Sequence, residues 1–118
     1  MSLESEIRHI LACDSAYIGE LRQQLRRRRK LIDAQPREYE VEVLEQIRQL
    51  AIDQSATLKQ IAANNKQFVA ITKGITNKLK GHPDRKKLKR LLRTHKDNVE
   101  TIRALQRQFS AQIHAQSA

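Results

Sequence analysis

The chain has few of the residues that interrupt or end helices. Its 118 residues include three glycines and two prolines, while Leu, Ile, Ala, Gln, Arg and Lys, which are compatible with helices, are abundant. This composition predicts few, long helices. The length is typical of one domain, so we expect residues 1–118 to form a single helical domain.

Cysteine and long apolar runs are also scarce. Cys13 is the one cysteine, which excludes an internal disulfide and favours a reducing compartment. The first residues have no basic segment followed by an apolar run, as a secretory signal would. No stretch approaches 18 consecutive apolar residues. We therefore expect a soluble, cytoplasmic protein without a membrane span.

Aromatic residues are rare, with two Phe, two Tyr and no Trp. Proteins that read single-stranded nucleic acid commonly stack bases on exposed aromatic rings. The sequence also has no zinc-finger spacing and no helix-turn-helix pattern with a short glycine turn. Any nucleic acid would therefore be contacted through its backbone and shape. The same scarcity of aromatic rings disfavours binding to a membrane surface.

Motifs of catalysis and metal binding are lacking as well. There is no glycine-rich phosphate loop, nucleophile elbow or paired His–Glu metal motif. His9 and Cys13 lie four residues apart on one helix face, but a metal site needs three or four ligands. Glu6 and His9 form one Glu-x-x-His pair, and a di-iron bundle needs two. We expect a protein that is not an enzyme and holds no cofactor or metal.

Apolar residues recur at alternating spacings of three and four, which is the heptad pattern of helices packed at shallow angles. Pro36 separates the first helix from the second, and Gly81 with Pro83 separates the second from the third. The fold class predicted is all-α. The architecture predicted is an elongated antiparallel three-helix bundle with coiled-coil-like heptad packing, with helices near residues 3–34, 37–80 and 84–115.

Short connections make consecutive helices antiparallel neighbours. We expect the second helix to pair with the third around Gly81, so that Leu79 meets Leu88 and Phe68 meets Val99. The first helix is expected to fold back on the other half of the second. The long middle helix could bend or break at its weak helix formers, Asn64–Asn65 or Gly74. The alternative is an open set of long hairpins completed by dimerisation.

Two titratable residues fall among the apolar seam positions. A buried, unpaired Asp14 would be costly, so this residue should find a partner or water unless the first seam is open there. An open or partner-facing seam is the preferred interpretation. His95 is expected to be a hydrogen-bonded core histidine, with Thr72 opposite, rather than a catalytic base.

The net charge of +10 is concentrated in one segment. Residues 78–96 contain nine Lys or Arg and one acid, and they carry most of the excess. On a helix, most of these cations fall on one side, and leucines fall on the other. Phosphates on a nucleic-acid backbone suit such an array, because each neutralised phosphate releases a counterion. The predicted nucleic-acid-binding residues are Lys78, Lys80, Arg85, Lys86, Lys89, Arg90, Arg93 and Lys96.

A solvated helix face is the competing interpretation of this cluster. Solvated faces normally mix charges of both signs, which supports pairing and solubility, whereas acids are nearly absent here until Asp97. Residues 26–30, RRRRK, are more basic still but spread around the helix. They are expected either to pair with Glu38, Glu40, Glu42 and Glu45 or to form a second patch. Arg28 lies on the seam and could snorkel outward.

The preferred function is therefore non-sequence-specific contact with nucleic acid or another polyanion. The alternative is a helical protein-protein adaptor that holds a partner helix. Residues 43–75, VLEQIRQLAIDQSATLKQIAANNKQFVAITKGI, are similar to the long helix of flagellar and type III secretion export chaperones. That resemblance implies a small cytoplasmic protein that shields a partner helix, although the strong basic charge departs from the family. The partner groove would then contain the polar seam residues Gln54, Asn65, Thr72 and Gln106.

Overall fold

The computed structural model describes residues 2–33 and 41–117, with side chains through residue 111. This part of the chain forms four helices and no strand, which confirms the all-α class. The helices are α1 (Leu3–Asp33), α2 (Val41–Ile71), α3 (Ile75–Leu79) and α4 (Arg85–Ser117). The predicted boundary at Pro36 and the start of a helix at residue 37 lie outside the described residues.

The helix predicted over residues 37–80 is broken near its C-terminal end. α2 ends at Ile71, and the five-residue α3 follows after a turn. Gly74 has a φ of 69°, a left-handed conformation that glycine adopts far more readily than other residues. Of the two positions at which a break was expected, Gly74 breaks the helix, and α2 runs through Asn64–Asn65 without interruption.

The turn into α4 uses a second left-handed glycine, Gly81, with a φ of 68°. Glycine in this conformation commonly follows the last residue of a helix. The His82 ring then accepts a hydrogen bond from the Asp84 amide, with 3.0 Å from Nδ1 to N. Pro83 has no amide hydrogen to leave unpaired. The predicted helix boundary at this turn is confirmed to within one residue.

α1 packs along both α2 and α4, which approach each other far less. Hydrogen bonds between α1 and α2 join Asp14 to Asn64 and Gln24 to Thr57, so these helices are antiparallel. Contacts of α1 with α4 rise together in residue number, so these two helices are parallel. The expected pairing of the second helix with the third is weak, because α2 and α4 each pack mainly on α1.

The apolar core has two clusters. The first joins α1 and α4, with Leu58 and Ile61 of α2 packed against it; its buried members are Ile18, Leu21, Leu25, Ile102, Leu105 and Phe109. The second lies at the other end of α1 and contains Ile7, Leu79 and Leu88. Leu79 and Leu88 therefore share a cluster, as predicted. The chain extends over 65 × 22 × 17 Å, and no described helix is long and apolar enough to cross a membrane.

Candidate functional site

The predicted basic residues all lie on the surface, around α3 and the first half of α4. We call them the basic stripe. Lys78 is in α3, Lys80 follows its last residue, and the other six are in α4. All eight are exposed: Lys78, Lys80, Arg85, Lys86, Lys89, Arg90, Arg93 and Lys96. The structure thus places these side chains where a large ligand could reach them.

The periodicity of α4 separates the stripe from the core. Leu88, His95 and Ile102 recur every seven residues and are buried, with exposed fractions of 1%, 3% and 4%. Side chains at this spacing lie on one face of a helix. Arg85 to Lys96 span 11 residues, which is about 17 Å along the helix axis. The stripe is therefore a linear array of cations on the face that points away from the other helices.

Carboxylates do not neutralise the stripe within residues 2–33 and 41–111. Glu4 forms ion pairs with Lys87 at 2.8 Å and with Arg8 at 3.0 Å, and neither cation belongs to the stripe. The hydrogen bond from Lys87, and secondly that from Arg8, lowers the pKa of the Glu4 carboxyl. Glu4 therefore pairs with a cation of α4 that lies outside the stripe. The stripe cations face solvent without a paired acid in this part of the chain.

A buried polar network fixes the register of α4 beneath the stripe. Asp14, with 2% of its surface exposed, accepts hydrogen bonds from Asn64 Nδ2 at 3.0 Å and Asn98 Nδ2 at 3.1 Å. Asn64 bonds Oδ1, and the Oδ2 atom that accepts from Asn98 also lies 2.6 Å from His95 Nδ1. The expectation of an open or partner-facing seam at Asp14 is wrong, because α2 and α4 supply polar partners that satisfy the carboxylate.

His95 is a buried, hydrogen-bonded histidine, as predicted, but Thr72 is not its partner. Nδ1 contacts Asp14, and Nε2 lies 3.2 Å from Asn65 Oδ1. Thr72 instead donates to the Phe68 carbonyl at 2.7 Å. The Phe68 ring lies over the His95 ring, with 3.9 Å between centroids. Phe68 therefore packs against His95, and Phe68 and Val99, which were expected to meet, line the same groove.

The arginine-rich segment at residues 26–30 divides between surface and core. Arg28 has 8% of its surface exposed, and its Nη1 donates to the Phe109 carbonyl at 3.4 Å. Burial lowers the pKa of the Arg28 guanidinium. The expectation that Arg28 snorkels outward is therefore wrong, because α4 covers it. The other four residues of the segment are exposed.

The expected charge pairing of this segment is not found with Glu42 or Glu45, the two of its four predicted acids that the structure describes. Glu38 and Glu40 lie outside the described residues. Two of the exposed arginines, Arg26 and Arg29, line a groove of about 470 Å³ between α1 and α4. Arg22, one turn earlier in α1, lines it as well. The sequence cluster thus contributes to a surface that two helices build together.

The residues of the alternative partner groove do not come together. Asn65 lines a groove of about 420 Å³ between α2 and α4, beside Phe68, Leu92 and Val99. Gln54, Thr72 and Gln106 are half-buried and do not line that groove. A groove between α2 and α4 exists, but it contains only one of the four predicted residues.

The remaining candidates were His9 and Cys13. The Cys13 thiol lies 3.8 Å from His9 Nε2, so the two share a helix face as predicted. Among the residues that the structure describes, no group of three or more His, Cys, Asp or Glu side chains is arranged to hold a metal ion.

Sequence reasoning identified the stripe but missed two features of its setting. The asparagines that hold Asp14 carry no distinctive motif. The groove on α1 combines residues about 80 positions apart in sequence, such as Arg22 and Thr101. A helical projection of α1 alone would have placed Arg22, Arg26 and Arg29 on one flank, because they are spaced by four and three.

No family model, curated protein or solved structure matches the chain in comparisons with each of the three. The similarity of residues 43–75 to export chaperones therefore rests on heptad spacing and on Gln and Asn content. Function has to be inferred from the side chains themselves.

Proposed function

We propose that this protein is a non-enzymatic helical protein that contacts the nucleic-acid backbone, without sequence specificity, through the basic stripe. The observation that carries the proposal is the array of eight exposed cations without a paired acid in the described part of the chain. Such an array favours binding to a polyanion, because each phosphate that it neutralises releases a condensed counterion from the nucleic acid.

The spacing of the stripe agrees with a phosphate backbone as the ligand. Phosphates follow one another every 3.4 Å or so along each strand of a duplex, measured on its axis. The roughly 17 Å from Arg85 to Lys96 therefore correspond to about five phosphates. Lys and Arg side chains are long enough to adapt to small mismatches. Because the stripe contains no aromatic residue, it supports backbone contact rather than base stacking.

We further propose the architecture that displays the stripe. α1, α2 and α4 form an elongated bundle with coiled-coil-like heptad packing, in which consecutive long helices are antiparallel and residues 1–118 are a single domain. The seven-residue recurrence of Leu88, His95 and Ile102 in the core supports this packing. A rigid support keeps the cations in line, so that contact with phosphates orders few additional groups.

A non-enzymatic role is part of the proposal. His95 and Asp14 form a pair of the type that can serve in general acid–base catalysis. Both are buried, with 3% and 2% of their surface exposed, and Asp14 also accepts bonds from two asparagines. A pair that is enclosed and fully hydrogen-bonded supports a structural task and not contact with substrate.

The stripe is tested by reversing three of its central charges, in a variant carrying Lys86→Glu, Arg90→Glu and Arg93→Glu. The three side chains are exposed, so the fold should be retained. We expect the affinity for a fluorescein-labelled 20-bp duplex, measured by fluorescence anisotropy, to fall about 100-fold at moderate salt, because several phosphate contacts become repulsive.

A second variant controls for the loss of net positive charge. Arg48→Glu, Lys59→Glu and Lys66→Glu reverse the same number of charges at exposed positions of α2. The proposal requires this control to retain most of the affinity of the wild type. Equal weakening by both variants would show that the affinity depends only on total charge. The stripe would then be an ordinary solvated helix face.

The second candidate function is an adaptor that holds a protein partner. It is favoured by large apolar side chains on the surface of α2, where Leu44 is 48%, Ile52 is 52% and Val69 is 61% exposed. Large exposed apolar side chains can contribute to an interaction site. We expect a variant carrying Leu44→Ser and Val69→Ser to keep a thermal midpoint close to that of the wild type. If α2 mediates self-association, the variant should also have a lower mass by sedimentation equilibrium. A wild type that stays monomeric at high concentration would argue against dimerisation through α2.

A further inference from the structure

The groove between α1 and α4 is lined by basic residues that do not belong to the basic stripe. Its volume is about 470 Å³, and no acidic residue lines it. The lining residues are Arg22, Leu25, Arg26, Arg29, Thr101, Ala104, Leu105 and Gln108. Leu25 and Leu105 are buried and form its floor, so the groove is a firm depression rather than a gap between mobile side chains.

Three guanidinium groups converge on this groove. Arg22, Arg26 and Arg29 are exposed, and none forms an ion pair with any residue that the structure describes. Three cations of like sign on adjacent turns repel one another unless an anion lies between them. Guanidinium groups match phosphate oxygens with two parallel hydrogen bonds, so phosphate is the anion that suits them best.

The groove lies on the same side of α4 as one flank of the basic stripe. Lys86 and Ala104 are separated by 18 residues, as are Arg90 and Gln108, and 18 residues correspond to five helical turns. Each pair therefore points in the same direction from the helix axis. Because α1 runs parallel to α4, its arginines lie beside the second half of α4, farther along the helix than the stripe. The exposed Asp97 lies between the two groups of cations.

We propose that Arg22, Arg26 and Arg29 bind phosphates of the same nucleic-acid molecule that the stripe contacts. This inference rests on the proposed function and extends it from α4 to α1. The combined track, from the level of Lys86 to the level of Gln108, is about 33 Å long. That length matches about ten base pairs of duplex, so a single protein molecule covers nearly one helical turn of its ligand.

The test uses neutral substitutions in the groove, Arg22→Gln, Arg26→Gln and Arg29→Gln. A matched control carries Arg27→Gln, Lys30→Gln and Arg48→Gln, which remove the same charge from exposed positions that do not line this groove. Circular dichroism and thermal midpoints establish that both variants are folded. Each is then titrated against a 20-bp duplex at several salt concentrations.

We expect the groove variant to flatten the dependence of log K on log salt by about 2 to 3, because each lost phosphate contact contributes about 0.9 to the slope. Its affinity at moderate salt should fall about tenfold or more. The control should keep the slope of the wild type within about 1. A groove variant with the slope and affinity of the control overturns the inference.

Measurements on the stripe variant in parallel separate this inference from the proposed function. If the stripe variant loses binding and the groove variant does not, the proposed function stands and the groove is not part of the track. If the stripe variant binds as well as the wild type, the proposed function fails, and the shared track fails with it.

A free oligophosphate is the other source of the same chemistry. Inorganic tripolyphosphate is titrated into the wild type and the groove variant by isothermal titration calorimetry. Millimolar or weaker binding of tripolyphosphate agrees with a nucleic-acid strand as the ligand. Micromolar binding that the groove variant abolishes, together with unchanged duplex binding by that variant, assigns the groove to a soluble phosphate ligand and overturns the proposal.

Discussion

Asp14→Ala is expected to lower the free energy of unfolding by about 3 to 5 kcal/mol. The carboxylate accepts hydrogen bonds from Asn64 and Asn98 and contacts His95. Removing it leaves polar groups on two other helices without their partner in a buried site. Each unsatisfied buried group costs about 1 to 3 kcal/mol, and the small cavity adds to that loss.

Urea unfolding followed by circular dichroism measures this effect, with Asp97→Ala as the matched control. Asp97 is an exposed acid of α4, and its removal should change stability by less than about 0.5 kcal/mol. Domains of this size are stable by roughly 5 to 15 kcal/mol, so the loss in Asp14→Ala should be readily visible in the urea midpoint. An Asp14→Ala midpoint close to that of the control would mean that the network does not support the fold.

Phe109→Ala is expected to destabilise the protein by a similar amount, about 3 to 5 kcal/mol. Phe109 has 2% of its surface exposed and packs with the cluster that joins α4 to α1. Alanine would leave a cavity lined by side chains of both helices, because a close-packed core relaxes only partly around a missing ring. The lost packing lies in the half of α4 that forms one wall of the groove lined by Arg22, Arg26 and Arg29.

Phe68→Ala provides the comparison for this prediction. Phe68 is half-buried, and its ring covers His95 at 3.9 Å between centroids. Phe68→Ala should lower the free energy of unfolding clearly less than Phe109→Ala does, because solvent can fill part of the space that the Phe68 ring leaves. Thermal unfolding of both variants ranks them. The opposite ranking would place the principal core between α2 and α4, contrary to the packing described above.

Heptad spacing and the few helix-breaking residues were sufficient to predict the class of the fold and most helix limits. α1 begins at Leu3, and α4 begins at Arg85, within one residue of the expectations. The break at Gly74 was one of two positions considered. Sequence could not choose between them, because Asn64 and Gly74 are both weak helix formers. The structure distinguishes them, since Asn64 is held in the helix by its bonds to Asp14 and to the Ile10 carbonyl.

The arrangement of the helices was harder to predict than their existence. Every long helix has an apolar face, and heptad spacing alone does not say which of these faces pack together. Asp14 and His95 are 81 residues apart, so neither residue's neighbours in sequence reveal the pair. An open or partner-facing seam was therefore preferred at Asp14, whereas the chain itself supplies three polar partners. Burial of a polar group is informative only once its hydrogen-bond partners are known.

The two parts of the candidate site also differ in how far the sequence alone predicts them. The basic stripe is a property of one helical segment, so residues 78–96 were enough to predict that its cations share an outward face. The groove lined by Arg22, Arg26 and Arg29 is formed by two helices. Residues 26–30 alone indicated only that positive charge is spread around α1. Only the parallel packing of α1 on α4 brings Arg26 and Arg29 beside Gln108.

The salt dependence of duplex binding by the wild-type protein tests the central claim most directly. If the six stripe residues of α4 contact phosphates, the slope of log K against log salt should be about −5, and steeper still if the groove takes part. Fluorescence anisotropy with one 20-bp duplex between about 50 and 200 mM salt gives this value. Steep, sequence-independent binding is the result that we predict. A slope near zero, or no binding at the lowest salt concentration, would contradict the assignment of the stripe to a nucleic-acid backbone.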